Sequence, residues 1–232
     1  MNDWWKIWGS RQRSLISGSP LAQLIAADGF DEVSQLGEQA WMDHVTRIQQ
    51  RLGILPGDSL FEVGCGAGAF LYPLHLSGCV VAGIDYSEPL LAMAQQAIPT
   101  GSFTFGTAAE LSQSPQYDVV LSNSVFFYFS NLEYAAAVLE RMLRKARNAV
   151  AVLDVPDAAT QRECLAFRQE KLGAHYAESY RHLDHLYFDR SWFQDVAARV
   201  DSSFRCSCAD QAISGYAYNR FRFNVMLTKS RG

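Results

Sequence analysis

Apolar positions along the chain follow two spacings. Over residues 31–52, Val33, Leu36, Ala40, Trp41, Val45, Ile48 and Leu52 recur at helical spacing and predict an amphipathic helix. Leu55-Pro56-Gly57-Asp58 stops it. From Ser59 onward, short apolar runs alternate with helical stretches. Leu60–Val63 reads as a strand, followed by a glycine-rich turn and a helix through Leu76. Cys79–Ile84 reads as the second strand, and the next helix covers Pro89–Ala97, with proline in its first turn and Ser87 placed to cap it. Phe103–Phe105, Tyr117–Ser122 and Ala149–Val155 are three further strands, separated by helices near Ala108–Leu111 and Leu132–Lys145. This alternation predicts an α/β fold: a parallel sheet with helices on both faces.

The last third changes pattern. Ala158–Leu172 and Ser191–Val200 are helical in spacing. Phe204–Ala212 and Phe221–Thr228 read as strands joined through Gly215-Tyr216-Ala217-Tyr218-Asn219. With no helix between them they must pair antiparallel. The expected sheet is seven-stranded and mostly parallel, with a C-terminal antiparallel hairpin. Between the last two helices lie His175, Tyr176, Tyr180, His182, His185, Tyr187 and Phe188. This aromatic stretch, around residues 173–190, is expected as a lid over the C-terminal ends of the strands, where open α/β sheets bind ligands. The expected organisation is an N-terminal helical cap, residues 1–58, and a ligand-binding domain, residues 59–232.

Composition narrows the partners. The chain has 232 residues, 49% of them hydrophobic and 19% charged, with a formal net charge of −4. That length supports a sizeable core, and the acidic balance gives no basic footprint for nucleic acid. No apolar run approaches the ~20 residues of a membrane span. The opening MNDWWKIWGS lacks the basic and apolar regions of a secretory leader. Cytoplasmic is the default expectation, with the assembly state left open. Cys65, Cys79, Cys164, Cys206 and Cys208 form no CxxC and imply no metal.

The candidate chemistry starts at Phe61-Glu62-Val63-Gly64-Cys65-Gly66-Ala67-Gly68-Ala69, a glycine turn that follows a strand and opens a helix. Asp85 ends the next strand about twenty residues on, where an acid can take both hydroxyls of a ribose. Gly64-x-Gly66-x-x-Ala69 also satisfies the dinucleotide fingerprint, so NAD is the competing ligand. Glu62 argues against it, since a carboxylate at the strand's mouth repels a pyrophosphate. The same carboxylate favours an ammonium. Adenosine at one end and an amino acid at the other suit both acids, which points to S-adenosylmethionine (SAM).

Residues 59–155 resemble the core of the class I SAM-dependent methyltransferases. Four motifs carry the resemblance in order: Glu62-Val63-Gly64-Cys65-Gly66-Ala67-Gly68, Gly83-Ile84-Asp85-Tyr86-Ser87, Gly106-Thr107-Ala108-Ala109-Glu110-Leu111, and Tyr117-Asp118-Val119-Val120-Leu121-Ser122-Asn123-Ser124. The resemblance implies a Rossmann-like fold and a SAM site without metal. It implies that Gly64, Gly66 and Gly68 flank the methionine part, and that Asp85, with Tyr86 beside it, holds the ribose. It lays Thr107, Ala108, Ala109 and Glu110 along adenine and puts Asn123 and Ser124 by the reacting centre. Many relatives carry Asp at the Thr107 position, so an adenine contact here falls to Glu110 or the backbone.

Methyl transfer needs an acceptor, often with a base beside it. Asp154, Asp157, His175, His182 and His185 are the candidates, against plainer readings as strand-end or packing residues. Trp4, Trp5 and Trp8 cap the site or pack onto the domain. The full chain, through its Trp-rich front, Asn123, Tyr176 and the closing Tyr218–Val225, is also similar to the methyltransferase-like azetidine-2-carboxylate synthases. That narrower resemblance implies a cyclisation in which the α-amino nitrogen of SAM displaces 5′-methylthioadenosine from the γ-carbon. Asn123 would then orient the amine and Tyr176 would hold the sulfonium, a contact worth about 2 kcal/mol when desolvated. The first expectation is this cyclase. The alternatives are a small-molecule O- or N-methyltransferase and a non-catalytic SAM binder.

Overall fold

The computed structural model describes residue 8 and residues 18–30, 36–179 and 185–229, with the side chains of residues 172–179 outside that description. The first described helix, α1 (Pro20–Ala27), starts at Ser19, whose hydroxyl accepts the Ala22 N–H at 3.2 Å, with proline in its first turn. Helix α2 (Glu38–Leu52) is amphipathic and stops at Gly53, which adopts the left-handed φ of 62° that favours glycine. The helix expected from residue 31 is described only from Glu38, and Val33 lies outside the described residues.

The alternating segment then forms β1 (Ser59–Val63), α3 (Leu71–Leu76), β2 (Val80–Asp85), α4 (Glu88–Ala97), β3 (Ser102–Phe105), β4 (Tyr117–Asn123), α5 (Leu132–Lys145) and β5 (Ala146–Pro156). Helices α6 (Gln161–Ser179) and α7 (Arg190–Val200) follow, then β6 (Arg205–Asp210) and β7 (Arg222–Thr228). The seven strands form one sheet in the order β3-β2-β1-β4-β5-β7-β6. β1 to β5 pair in parallel, while β7 lies antiparallel to both β5 and β6. Strand order reverses between β1 and β4, which opens the switch-point crevice that binds ligands in such sheets.

Both sheet faces are covered. On one, Leu21, Leu24 and Ile25 of α1 and Trp41, Val45 and Ile48 of α2 share a core with Leu71, Leu74, Leu90 and the strands. On the other, Val138, Leu139 and Met142 of α5 and Phe193 and Val196 of α7 meet Phe61, Val63, Val152 and Phe223. Alternation along β1 therefore sends Phe61 and Val63 to one face and Leu60 to the other. The described part of residues 1–58 is built into this core.

Three local expectations change. Ser87 stands at the N-cap of α4 but makes no side-chain cap; its hydroxyl donates instead to the Trp8 carbonyl at 3.1 Å. The helix after the glycine turn is only Leu71–Leu76, because residues 64–70 stay in irregular backbone. Helix α6 runs on to Ser179, so the start of the expected lid continues a helix.

One core residue makes the fold sensitive to acid. His44 is buried against Trp41 and Phe70, and its Nε2 has no hydrogen-bond partner. Burial, helped by Arg47, pulls its pKa down to about 4. A histidine freed by unfolding titrates near 6.5, so stability is complete above that pH and falls towards pH 4, by about 3 kcal/mol in all. The His44→Leu variant should therefore lose less of its melting temperature between pH 7 and pH 4.5 than the wild type. An equal loss would place the acid sensitivity elsewhere.

Candidate functional site

The site forms where β1 ends. Glu62 is 2% exposed, although it is an acid in the middle of a strand, and its Oε2 has no partner. Parallel pairing sets it between Gly83 of β2 and Leu121 of β4. Burial raises its pKa well above the usual carboxylate range, and the charges of Asp28 and Asp85 push it further in the same direction. Burial and the two further acids thus disfavour the ionised form, which a cation beside Glu62 would restore.

Asp85, at the end of β2, holds the glycine turn through its carboxylate. Oδ2 accepts the Gly66 N–H at 2.9 Å and Oδ1 accepts the Ser87 N–H at 2.8 Å. Burial raises its pKa, and these N–H donors pull against that. Tyr86 is half-buried beside it, its phenol pushed up by burial and by the Asp85 charge. Gly64, Gly66 and Gly68 all have positive φ, at 73°, 51° and 85°. A Cβ on Gly64 would meet Val125 at 2.4 Å, so this turn is pressed tight by protein on its own account.

Sequence reasoning missed Asp28. It follows α1, in no recognisable motif, yet its carboxylate enters the glycine turn. Oδ1 accepts the Ala67 N–H at 2.6 Å and Oδ2 the Ala69 N–H at 3.1 Å. These are the donors a dinucleotide pyrophosphate would use, and an acid of the chain already fills them. This geometry and the Glu62 carboxyl both weigh against the dinucleotide alternative.

Further along, Thr107 and Glu110 form a capping box: Glu110 Oε2 accepts from the Thr107 N–H at 2.7 Å and from its hydroxyl at 2.9 Å. Ala108 and Ala109 lie in the short 3-10 turn that follows. The Glu110 oxygen in that box is committed to it, which leaves the backbone of this turn as the simpler partner for an adenine. Asn123, buried, ends β4, and Ser124 follows at φ 57°.

The candidate bases are largely engaged. Asp154 and Asp157 are buried at 2% and 7% exposure, so neither is a solvated strand-end acid. Asp154 Oδ2 accepts from the Ser124 hydroxyl at 2.7 Å and the Tyr216 hydroxyl at 2.9 Å, and Oδ1 faces Arg222 at 3.9 Å. Asp157 accepts from Arg190 Nε at 2.8 Å. His185 is half-buried, with its pKa held well below the ordinary histidine value by desolvation and by Arg168 and Arg222. Its Nδ1 accepts from the Arg168 guanidinium, since an arginine can only donate, and so it has no lone pair there for a substrate proton.

An aromatic wall stands above these strand ends. Trp8 meets Tyr128 edge-on at 5.6 Å, and Tyr128 and Phe127 both face His185. Arg222 lies 4.4 Å over the Phe127 ring. Trp4, Trp5, Tyr180 and His182 fall outside the described residues, as do the side chains of His175 and Tyr176, whose backbone continues α6. Among the described residues no cluster of His, Cys, Asp and Glu gathers to hold a metal, and no helix is long and apolar enough to cross a membrane.

The residues present fit SAM: Asp85 sits at the end of β2, the place of a ribose-binding acid, Glu62 Oε2 is buried without a partner, and the Ala67 and Ala69 N–H groups are taken by Asp28.

Comparison with known proteins agrees with this fold. Residues 61–148 match the family model described as a methyltransferase domain. Nocamycin O-methyltransferase of Saccharothrix syringae is 30% identical over 128 residues, 50% of this chain and 46% of that protein. The magnesium-protoporphyrin O-methyltransferase of a Synechocystis species is 29% identical over 109 residues, 45% of this chain and 47% of that one. The chain spans about half the length of the curated relatives it matches. A solved structure of magnesium protoporphyrin IX methyltransferase from Synechocystis, with bound S-adenosylhomocysteine (SAH), superposes with a TM-score of 0.64 at 19% identity, over 98% of this chain and 93% of that one. The plantazolicin methyltransferase with SAH does so at 0.59 and 19%, over 83% and 84%. Residues 61–148 thus match a methyltransferase domain, and the seven-stranded sheet has the Rossmann-like fold of the solved methyltransferases.

Proposed function

We propose that the chain uses SAM as an electrophile in a small-molecule reaction, with methyl transfer to an oxygen or nitrogen acceptor as the first reading. The observation that carries SAM use is Glu62, buried with an unpartnered oxygen beside Asp28 and Asp85 at the mouth of the switch-point crevice. SAM supplies a sulfonium whose attached carbons are open to attack by a nucleophile. On this reading Asp85 fixes the ribose, Glu62 takes the ammonium, and the Ala108–Glu110 turn lies along adenine. Methyl transfer is put first because the relatives in hand are named for it, two of them O-methyltransferases. The aromatic wall and the Trp8 end would keep water from the reacting centre.

One observation favours a second reading, cyclisation of SAM itself to azetidine-2-carboxylic acid. Asp154, Asp157 and His185, the candidate bases described at the strand ends, are each held by other groups. An amine nucleophile with a pKa near 7.7–8.0 needs little help to lose a proton at neutral pH, whereas a hydroxyl acceptor needs a base. Asn123 would orient that amine and Tyr176 would fix the sulfur.

Mass spectrometry separates the two. SAH together with a methylated product, formed only once acceptors are added, supports methyl transfer. Protein-dependent methylthioadenosine with azetidine-2-carboxylic acid, from SAM alone, supports the cyclase. SAM bound but left intact under both conditions overturns both and leaves a non-catalytic binder. Tyr176→Ala is expected to depress turnover strongly with the fold intact; unchanged turnover removes its assigned role.

A further inference from the structure

Resting on the SAM reading above, we infer that Asp28 is a positioning residue of the site. It locks the glycine turn from the N-terminal side and, together with Glu62, selects a ligand that carries an ammonium group.

The placement of Asp28 is specific. Helix α1 is anchored in the core through Leu21, Leu24 and Ile25, and the Asp28 N–H is held by the Leu24 carbonyl at 3.0 Å. From there both carboxylate oxygens reach into residues 66–69, some forty positions away in sequence, and take the N–H groups of Ala67 and Ala69. The turn is shaped around this carboxylate. A Cβ built on Gly66 would lie 2.3 Å from Asp28 Oδ1, and the φ of 51° there also favours glycine.

A neutral side chain would serve if holding backbone were the whole task. The surroundings ask for more. Asp28 acts on Glu62 together with Asp85, and the Cys65 thiol inside the turn is driven upward by burial and by the same three acids. The Glu62 oxygen beside them is buried with nothing bonded to it. Two further acids beside the unsatisfied Glu62 oxygen form a field that favours a ligand ammonium over an anion at that oxygen. Asp28 thus does two things with one group: it withdraws the turn's N–H donors from any phosphate, and it deepens the negative potential at Glu62.

The test compares two ligands that share adenosine and a sulfur but differ in the amino acid. SAH carries the ammonium and 5′-methylthioadenosine lacks it. Both are titrated calorimetrically into the wild-type chain and the Asp28→Asn variant, with a thermal melt to confirm the fold. The expected result is about tenfold weaker SAH binding, with methylthioadenosine binding changed less than about twofold, since methylthioadenosine carries no charge to sense the loss. Equal weakening of both ligands would reduce Asp28 to a structural clamp and overturn the inference. No change in either would remove it from the site altogether. If Asp28→Asn melts below the assay temperature, Asp28→Ser carries the same expectation. Failure of the wild-type chain to bind SAH is a different outcome, and it strikes the SAM reading rather than Asp28.

Discussion

Asp85→Ala is expected to weaken SAH binding by about 100-fold, roughly 3 kcal/mol, while the chain stays folded. Two losses add up in that figure. On the SAM reading the ribose hydroxyls lose a charged acceptor, and charge-assisted hydrogen bonds contribute about 1.5–3 kcal/mol each. The glycine turn also loses its anchor, because the same carboxylate holds the Gly66 and Ser87 N–H groups at 2.9 and 2.8 Å. Asp85→Asn should fall between, since an amide keeps one acceptor oxygen. Calorimetric titration of both variants checks this order. A loss under threefold for Asp85→Ala would take the ribose away from this residue.

The largest effect on stability should come from Trp41→Ala, at about 3–5 kcal/mol. Trp41 is 1% exposed, lies 4.6 Å from Phe30 and 6.3 Å from Phe70, and packs beside the imidazole of His44. Its Nε1–H donates to the Ala69 carbonyl at 2.8 Å, inside the core. Truncation would leave a large cavity and a buried carbonyl without a donor. The same Ala69 gives its N–H to Asp28, so the indole fixes the far end of the turn that the site depends on. Trp41→Phe would keep most of the packing and lose the hydrogen bond, and should cost about 1–2 kcal/mol. At about 2–4 °C per kcal/mol for a chain of this size, the alanine variant should melt roughly 10 °C lower. A shift of under about 2 °C would show that α2 adds little to the domain.

The sheet was legible because its signals are local. Short apolar runs bounded by turns mark β1 to β5, and the missing helix between Arg205–Asp210 and Arg222–Thr228 dictates their antiparallel pairing. Glu62 was legible for a related reason: an acid inside a strand that is otherwise apolar breaks its own pattern. Asp28 was not, because its partners lie across the fold and one acid after a short helix carries no periodicity. Ser87 looked like a cap, but it is placed to reach the Trp8 carbonyl, a contact made in three dimensions only. Glu110 looked free to meet an adenine until Thr107 proved to be its partner in a capping box. Asp154 and Asp157 read as strand-end acids. Their burial follows from Arg222 and Arg190, which lie more than thirty positions further on.

The central claim is that this crevice binds the adenosyl amino acid of SAM and no dinucleotide. Its most direct test is calorimetric titration of the wild-type chain with SAH and, separately, with NAD. The account predicts saturable binding of SAH at one site per chain and no heat from NAD. Binding of NAD, with SAH silent, would contradict it and return the glycine turn to the dinucleotide folds.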